Sequence, residues 1–239
     1  MATHEKKTKD RNKEIFDSRS SHYAEDINDS VAFSGLKADF FTRVKAEYFR
    51  DHLTEKFGGT TKLNVLDLGC GIGIFEGLFE NDFDAITGID VSELSIETAK
   101  ANQKHACFHL YEGSQIPFED DHFDVVFTIC VMHHVPPENW EKFVAEAHRV
   151  LKPGGVFAVF EHNPYNPLTL KVVNDCILDE DAVLLKPKKL NQVIKTAFSK
   201  PTRTEFIIAI PPLNKFFKFF DRLLKRLPFG AQYAVYVEK

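Results

Sequence analysis

The chain has no long apolar stretch. No segment approaches the roughly 18 consecutive apolar residues that a membrane-spanning helix needs. The first residues, MATHEKKTKDRNKE, carry charges with no apolar core behind them, and a secretory signal peptide requires such a core. We therefore expect a soluble, cytoplasmic protein.

Cysteine is scarce and scattered. The four cysteines are Cys70, Cys107, Cys130 and Cys176, and they form no C-x-x-C pair. Such pairs are typical of zinc and redox sites. The chain is also not a small secreted domain that would need disulfides, so we expect reduced thiols.

An even distribution of charge is lacking as well. The formal net charge is −5, but residues 186–226 hold eleven Lys and Arg against only Glu205 and Asp221. This segment therefore carries +9 and the remainder −14. An anionic acceptor, a membrane surface or a solvated face would each explain the asymmetry, and a solvated face is the commonest of the three. A nucleic-acid partner is disfavoured because the overall charge is negative.

Short apolar runs alternate with helical patterns from about residue 62 onward. This rhythm predicts an α/β fold with a mostly parallel sheet covered on both faces. A chain of 239 residues with 44% hydrophobic content can bury one generous core. The clearest helix covers residues 137–151, with Pro153-Gly154-Gly155 behind it. The predicted strands are Lys62–Leu68, Ala85–Ile89, Ala106–Leu110, Phe123–Ile129, Gly155–Glu161, Thr204–Ile210 and Gln232–Val237, of which the last two could pair antiparallel.

The glycine-rich run VLDLGCGIG over residues 65–73 is the most informative motif. An apolar strand leads into a turn whose glycines let backbone approach a ligand closely, and a helix follows. The third glycine of a dinucleotide fingerprint is replaced by Ile74, and no P-loop lysine follows. The sequence therefore disfavours both a dinucleotide site and a P-loop nucleotide site.

Two acidic residues near the loop indicate the ligand. Asp67 precedes the first glycine, where a carboxylate disfavours pyrophosphate and suits a cationic or hydroxyl-bearing ligand. Asp90 ends the next strand, about 20 residues on, where a carboxylate can bind both ribose hydroxyls. Asp90 could instead cap the following helix, a role that Ser92 could fill equally well. The pattern favours a positively charged nucleoside.

Four blocks in this order resemble the class I S-adenosylmethionine-dependent methyltransferases. The blocks are VLDLGCGIG, GIDVSELSIETAK, SQIPFEDDHFDVVFTICVMHHV and EAHRVLKPGGVFAVFEHNP. The resemblance implies a Rossmann-like seven-stranded sheet of order 3-2-1-4-5-7-6. It also implies S-adenosyl-L-methionine as cofactor and S-adenosyl-L-homocysteine as product.

The resemblance also implies where the cofactor lies. Gly69 and Gly71 would pass under the methionine part, Asp67 would reach its ammonium group, and Asp90 would bind the ribose. The remaining implied contacts are Val91 packing on adenine or ribose, Glu112 and the adjacent Gly113 at the adenine, and backbone groups of Thr128 and Ile129 at the methionine. Glu112 replaces the aspartate of relatives that read G-D-A-E-D-L-P-F, which keeps the acceptor but lengthens the side chain.

Three histidines are the catalytic candidates. His133 and His134 follow the fourth predicted strand and His162 follows the fifth, at strand ends where open α/β sheets bind ligands. An alcohol acceptor is a weak nucleophile and benefits from a base, for which histidine is well suited. One histidine of the 133–134 pair could instead pack under the loop. We predict no metal ion, because Asp179, Glu180 and Asp181 are contiguous and more typical of a helix start or solvated loop.

The segment 211–227, PPLNKFFKFFDRLLKRL, predicts an amphipathic helix with a Phe-rich face. Contact with a membrane surface or a lipid acceptor is one interpretation. We favour the other, in which a helix inserted between the last two strands packs on the core or on a second copy. The sequence does not determine the oligomeric state.

These observations predict an S-adenosylmethionine-dependent methyltransferase, with residues 1–57 as arm and lid helices and residues 58–239 as the cofactor-binding unit. The expected reaction is O-methylation of a small hydroxylated metabolite or sugar. The alternatives are N- or C-methylation of a lipid or quinone-like acceptor, and a non-catalytic protein that only binds the cofactor.

Overall fold

The computed structural model describes residues 17–19 and 22–239, without the side chains of Tyr23 and Ala24. Residues 1–16 and 20–21 of the predicted arm, and the side chain of Tyr23, which we expect to belong to the lid, lie outside the described residues. The helices are α1 Tyr23–Val31, α2 Ala38–Phe57, α3 Ile74–Leu78, α4 Glu93–Asn102, α5 Trp140–Val150, α6 Pro167–Asp175, α7 Pro187–Ile194 and α8 Lys215–Leu224. The strands are β1 Asn64–Leu68, β2 Ala85–Asp90, β3 Cys107–Leu110, β4 Phe123–Ile129, β5 Leu151–His162, β6 Arg203–Ile207 and β7 Gln232–Glu238.

The seven strands form one sheet in the order β3-β2-β1-β4-β5-β7-β6. Strands β1 to β5 pair in parallel, and β7 pairs antiparallel with both β5 and β6. The Rossmann-like fold and its strand order are therefore confirmed. The predicted antiparallel pair at the end of the chain is also confirmed.

Apolar side chains cover both faces of the sheet. On one face, α5 buries Trp140, Phe143 and Val144 against the strands, together with α7. On the other face, α2 buries Phe49 and Leu53. The carboxyl-terminal half of α2 thus shares the core of the sheet, although it lies before the domain boundary predicted at residue 57.

The junction between α5 and β5 is tighter than predicted. The helix ends at Val150 and the strand begins at Leu151, with Pro153-Gly154-Gly155 inside the strand. The pairing of β5 with β4 shifts register in this region. A Cβ at Gly155 would lie 2.8 Å from the Asp124 carbonyl oxygen, so the irregular strand requires a small residue there.

Strand β6 ends at Ile207, three residues before the predicted end. Ile208 has a positive φ of 62°, which no regular strand adopts. The amides of Ile208, Ala209 and Ile210 instead donate to the carboxylate of Asp221. A side chain on α8 therefore takes the place of the missing strand pairing.

The preferred packing of the Phe-rich segment on the core is wrong for α8. The helix forms between β6 and β7 as predicted, but Asp221 is its buried residue, while Phe216, Phe219 and Leu223 are exposed. Within residues 17–19 and 22–239, no helix is long and apolar enough to cross a membrane.

Candidate functional site

A cavity of about 980 Å³ opens at the carboxyl ends of the parallel strands and reaches to α1 and α2. Its volume is near the upper end of ordinary ligand pockets. The predicted site residues that line it are Asp67, Gly69, Gly71, Asp90, Val91, Glu112, Gly113, Ile129, His133, His134 and His162. Strand order alone brings these together, because the carboxyl ends of β1, β2, β4 and β5 lie at one edge of the sheet.

Thr128 is the exception among the predicted ligands. Its side chain is fully buried in β4, and the residue does not line the cavity. Alternate residues of a strand point to opposite faces. The neighbouring Ile129 reaches the cavity, and contact of the Thr128 backbone with the methionine part stays a prediction.

The glycine loop is packed against the chain segment that follows β4. Gly69 has a φ of 92°, and a Cβ there would lie 2.5 Å from Cγ2 of Val131. Gly71 and Gly73 also have positive φ values. Backbone lines the cavity at Gly69 and Gly71 because neither residue has a side chain.

Asp90 closes the loop from the end of β2. Its two carboxylate oxygens accept hydrogen bonds from the amides of Gly71 and Ser92, each at 2.9 Å. Ser92 caps α4, since its hydroxyl accepts from the Ser95 amide. Burial raises the pKa of Asp90, and these two amides partly offset the effect. The alternative role of Asp90 as the helix cap is therefore excluded, and its carboxylate faces the cavity.

Asp67 lies beside a second buried acid, Glu76, which the sequence analysis did not identify. Burial and the charge of Glu76 raise the pKa of Asp67 well above its usual value. Burial also raises the pKa of Glu76 to about 8. Among the described residues, no group hydrogen-bonds Oδ1 of Asp67. This acid pair would be stabilised by a positive charge in the cavity.

The pair should make stability fall as pH rises. An acid with a higher pKa in the folded protein binds more protons when folded, so stability declines between the usual 4.5 and about 8 for Glu76. Glu76→Gln should remove part of this decline and raise Tm at pH 9 by about 3 to 8 °C, with little change at pH 5. Thermal unfolding between pH 5 and pH 9 measures the change in Tm. The control is Glu80→Gln, an exposed acid four residues along, and equal pH dependence in both variants would contradict the assignment.

The three histidine candidates lie close together at the carboxyl ends of β4 and β5. His133 is buried, and its Nδ1 lies 2.5 Å from Oε2 of Glu161 at the end of β5. The other oxygen of Glu161 accepts from the Met132 amide at 2.9 Å. Although burial opposes a charge on His133, the carboxylates of Glu161 and Asp179 outweigh it and raise the pKa of His133 well above its usual value.

Asp179 lies among the three histidines. Its carboxylate lies 3.3 Å from Nε2 of His133, 3.5 Å from Nε2 of His134 and 3.9 Å from Nε2 of His162. The loop that carries it is fixed by the Val183 amide, which donates to the His133 carbonyl at 2.8 Å. Although burial opposes ionisation, His133 lowers the pKa of Asp179 to about 2. The expectation that Asp179 belongs to a helix start or solvated loop is therefore wrong.

The pKa values of the other two histidines beside Asp179 shift in opposite directions. Burial and the nearby charge of His133 lower the pKa of His134 well below its usual value. His162 pairs with Cys130, and this interaction outweighs burial and raises the pKa of His162. The thiol pKa of Cys130 is lowered, because Lys45 and His162 outweigh its burial. Near neutral pH, His134 is therefore the uncharged imidazole of the group.

The same group has atoms close enough to hold a metal ion. In the described part of the chain, ligand atoms of His133, His134 and Asp179 lie within 4.8 Å of one another. The absence of a metal ion stays a prediction.

Comparison with known proteins identifies the domain around this cavity. Residues 66–159 match the family described as a methyltransferase domain. Residues 66–159 therefore form a methyltransferase domain. A solved S-adenosylmethionine-dependent methyltransferase from Archaeoglobus fulgidus has the same fold, with a TM-score of 0.58 and 18% identity over 81% of this chain and 94% of that one.

Three curated relatives extend the comparison. An uncharacterized methyltransferase of Synechocystis is 34% identical over 43% of this chain and 49% of its own length. The sterol 4-C-methyltransferase of Caenorhabditis elegans is 35% identical over 46% of this chain and 34% of its own. The chain therefore spans half or less of these two relatives. A phthiotriol/phenolphthiotriol dimycocerosates methyltransferase of Mycobacterium ulcerans is 24% identical over 84% of this chain and 74% of its own.

The cavity of the methyltransferase domain fits S-adenosylmethionine, its cofactor. The unpartnered oxygen of Asp67 and the buried acid beside it suit a cationic ligand. Backbone at Gly69 and Gly71 leaves room for a chain to pass, and Asp90 presents acceptors for hydroxyl groups. Each feature matches one part of the cofactor: the charged methionine end, its chain and the ribose.

Sequence reasoning missed several residues of the methyltransferase site. Glu76 and Glu161 had a detectable signal, since each is a single acid in an otherwise apolar run, IFEGLF and VFAVFE. Lys45 and Asp179 had none, because each reaches the cavity from an element distant in sequence. Both require the tertiary fold to be known.

Proposed function

We propose that the protein transfers a methyl group from S-adenosylmethionine to a hydroxyl oxygen of an apolar small molecule. The observation that carries this proposal is the neutral His134 beside Asp179, set in a cavity with apolar walls. A hydroxyl acceptor needs a base at neutral pH, whereas an amine or carboxylate needs less help.

The acceptor side of the cavity favours an apolar molecule. Side chains from α1, α6 and the loop behind it contribute Ile27, Val31, Val172 and Leu178. Polar groups also line the cavity, among them the three histidines, Asp179, Asn28 and Thr169. An acceptor with a hydroxyl on an apolar body would bury that body against the four apolar side chains and place its hydroxyl at the histidines.

The names of two relatives agree with an apolar acceptor. One is named for a sterol and another for phthiotriol dimycocerosates. Because the shared length is limited for the first relative, the names support the acceptor class rather than a particular compound.

The residues of the site have separate roles in such a transfer. When bound, the cofactor supplies a methyl group on a positively charged sulfur, which is already a good leaving group. Asp179 lies 3.5 Å from Nε2 of His134, and the neutral imidazole of His134 accepts the hydroxyl proton. Asp179 then stabilises the imidazolium that forms, as a carboxylate does in other histidine pairs. His133 and Glu161 keep Asp179 in place and are positioning residues.

C-methylation is a second candidate, favoured by the sterol 4-C-methyltransferase among the relatives. The same base would then remove a proton from carbon rather than oxygen. The position of the new methyl group in the product separates the two reactions.

Transfer of labelled methyl groups tests the proposal. The protein is incubated with methyl-labelled S-adenosylmethionine and with acceptors that are apolar alcohols and phenols, simple sugars, or amines. We expect label in the apolar hydroxyl compounds, recovered as methyl ethers. Label only in sugars or amines would contradict the acceptor class. No transfer to any class, despite cofactor binding, would favour a non-catalytic binding protein.

The lid role of α1 and α2 gives a further prediction. Asn28 and Val31 of α1 and Thr42 and Lys45 of α2 line the cavity, and Asp17 contacts Ser92 beside Asp90 at 2.5 Å. Cofactor binding should therefore order this region. Hydrogen exchange of residues 22–45 should slow at least about tenfold with S-adenosylhomocysteine, while the buried strands β5 and β7 should not change. Equal exchange in both states would contradict the lid.

A further inference from the structure

Helix α8 exposes several apolar side chains to solvent, unlike an ordinary surface helix. Its apolar side chains Phe216, Phe219 and Leu223 are 65%, 64% and 65% exposed. A surface helix normally turns its apolar stripe toward the core. We call these three residues the Phe-rich face, together with the exposed Leu213, Leu227 and Phe229, which lie beside them in sequence.

Polar side chains attach α8 to the protein. The carboxylate of Asp221 is fully buried and accepts from the Tyr48 hydroxyl and the Ala209 amide, each at 2.7 Å. Three cations of the segment pair with acids of α2 and β6, namely Lys218 with Glu47, Arg222 with Asp51, and Lys225 with Glu205. These contacts fix the orientation of the helix, so the exposure of the Phe-rich face follows from the fold.

The Phe-rich face continues toward the mouth of the cavity. The Asn166 side chain donates to the Phe229 carbonyl at 2.9 Å, and the Thr169 hydroxyl donates to the Ala231 carbonyl at 2.6 Å. Thr169 and Ala231 both line the cavity. On the same helix start, Leu168 is also exposed. An apolar surface therefore lies next to the proposed acceptor site.

The exposed charges within residues 186–226 are positive, whereas Glu47 and Asp51 of the neighbouring α2 pair with Lys218 and Arg222. Residues 186–226 contain eleven Lys and Arg and two acids, and both acids, Glu205 and Asp221, are buried. Lys215 and Arg226 lie exposed just before and after the apolar turns of α8. Apolar and aromatic side chains bordered by cations are the pattern of a helix that lies in the surface of an anionic membrane.

We propose that the Phe-rich face binds the surface of an anionic lipid bilayer. Helix α8 has 10 residues, about 15 Å in length, so it would lie along the membrane with Phe216, Phe219 and Leu223 at the level of the headgroups. The cations at its border would contact lipid phosphates. This surface is distinct from the catalytic residues, and the binding does not depend on the proposed reaction.

Vesicle sedimentation tests the proposal without cofactor or turnover. The full chain is mixed with vesicles of phosphatidylcholine alone or with about one quarter phosphatidylglycerol. We expect binding to the anionic vesicles that weakens with salt, and at least tenfold weaker binding by the variant Phe216→Ser/Phe219→Ser/Leu223→Ser. The matched control removes exposed apolar side chains elsewhere, Leu94→Ser/Leu110→Ser/Val183→Ser, and should bind like the original protein.

The charge requirement is tested with Lys215→Glu/Arg226→Glu, which should lose most binding to anionic vesicles. Unchanged near-ultraviolet circular dichroism and Tm would show that each variant folds. No binding by the original protein would overturn the proposal, and so would equal binding by the triple variant. A dimer that the triple variant abolishes, without vesicle binding, would assign the face to a second copy instead.

Discussion

Replacing His134 by alanine is expected to lower the turnover number by about a hundredfold or more while leaving cofactor affinity within about twofold. The loss is of the size seen when a general base is removed. Cofactor affinity should persist because the proposed cofactor ligands lie on the glycine loop and at the end of β2, not on the segment that carries His134. Steady-state kinetics and calorimetry with S-adenosylhomocysteine measure the two quantities on the same preparation.

The pH dependence of the rate separates His134 from His162. Only a neutral imidazole accepts a proton. The pKa of His134 lies well below its usual value, so a reaction that uses it should keep its rate between about pH 8 and 5.5. The pKa of His162 is raised by Cys130, so a reaction that uses His162 should lose rate as pH falls through that raised pKa. His133 and Asp179 face both rings; the pKa of His133 is raised well above its usual value and that of Asp179 is lowered to about 2. Cys130, whose thiol pKa is lowered, faces His162 as well.

Matched variants make the test decisive. His109→Ala removes an exposed histidine outside the cavity and should retain full turnover. Asp179→Asn should lower turnover nearly as far as His134→Ala, and the double variant should add little, because the two residues act as a unit. Normal turnover in His134→Ala would show that alignment alone carries the reaction. Turnover that requires an added divalent metal would assign the cluster to metal binding instead.

The fold was predictable because its signals are local. Apolar strands, the loop around Gly69 and the apolar face of α5 each occupy one short window of sequence, and every such window has a matching element. Where the prediction failed, a distant residue decided the outcome. Strand β6 stops at Ile207 because Asp221, on the next helix, takes the amides that follow.

The same reasoning explains what was predictable in the site. Asp67 lies near the end of a predicted strand, and Asp90 and the histidines follow predicted strands, so the topology of the sheet brings them together. Asp179 reaches the histidines through a loop whose path depends on the Val183 amide and the His133 carbonyl. The orientation of α8 is likewise set by contacts with α2, such as the hydrogen bond from the Tyr48 hydroxyl to Asp221, which lies 173 residues later in the chain. Apolar periodicity identifies the face of such a helix but not the direction in which it points.

Removing the carboxylate of Asp90 should weaken binding of S-adenosylhomocysteine by about 1.5 to 3 kcal/mol, or roughly 10- to 150-fold. Each oxygen of Asp90 already accepts one backbone amide, and a carboxylate has about four acceptor positions. Two therefore remain for the hydroxyls of a ribose. Calorimetric titration of Asp90→Ala measures the loss, and Glu97→Ala, an exposed acid on the following helix, is the control for net charge.

A second ligand distinguishes a direct contact from a loosened loop. Asp90 also supports the Gly71 amide, so alanine could weaken binding by disturbing the glycine loop. If Asp90 binds the ribose, the original protein should prefer S-adenosylhomocysteine over its 2′-deoxy analogue, and Asp90→Ala should lose most of that preference. The difference between the two preferences is the coupling energy between side chain and hydroxyl. An unchanged preference in the variant would restrict Asp90 to a role in shaping the loop.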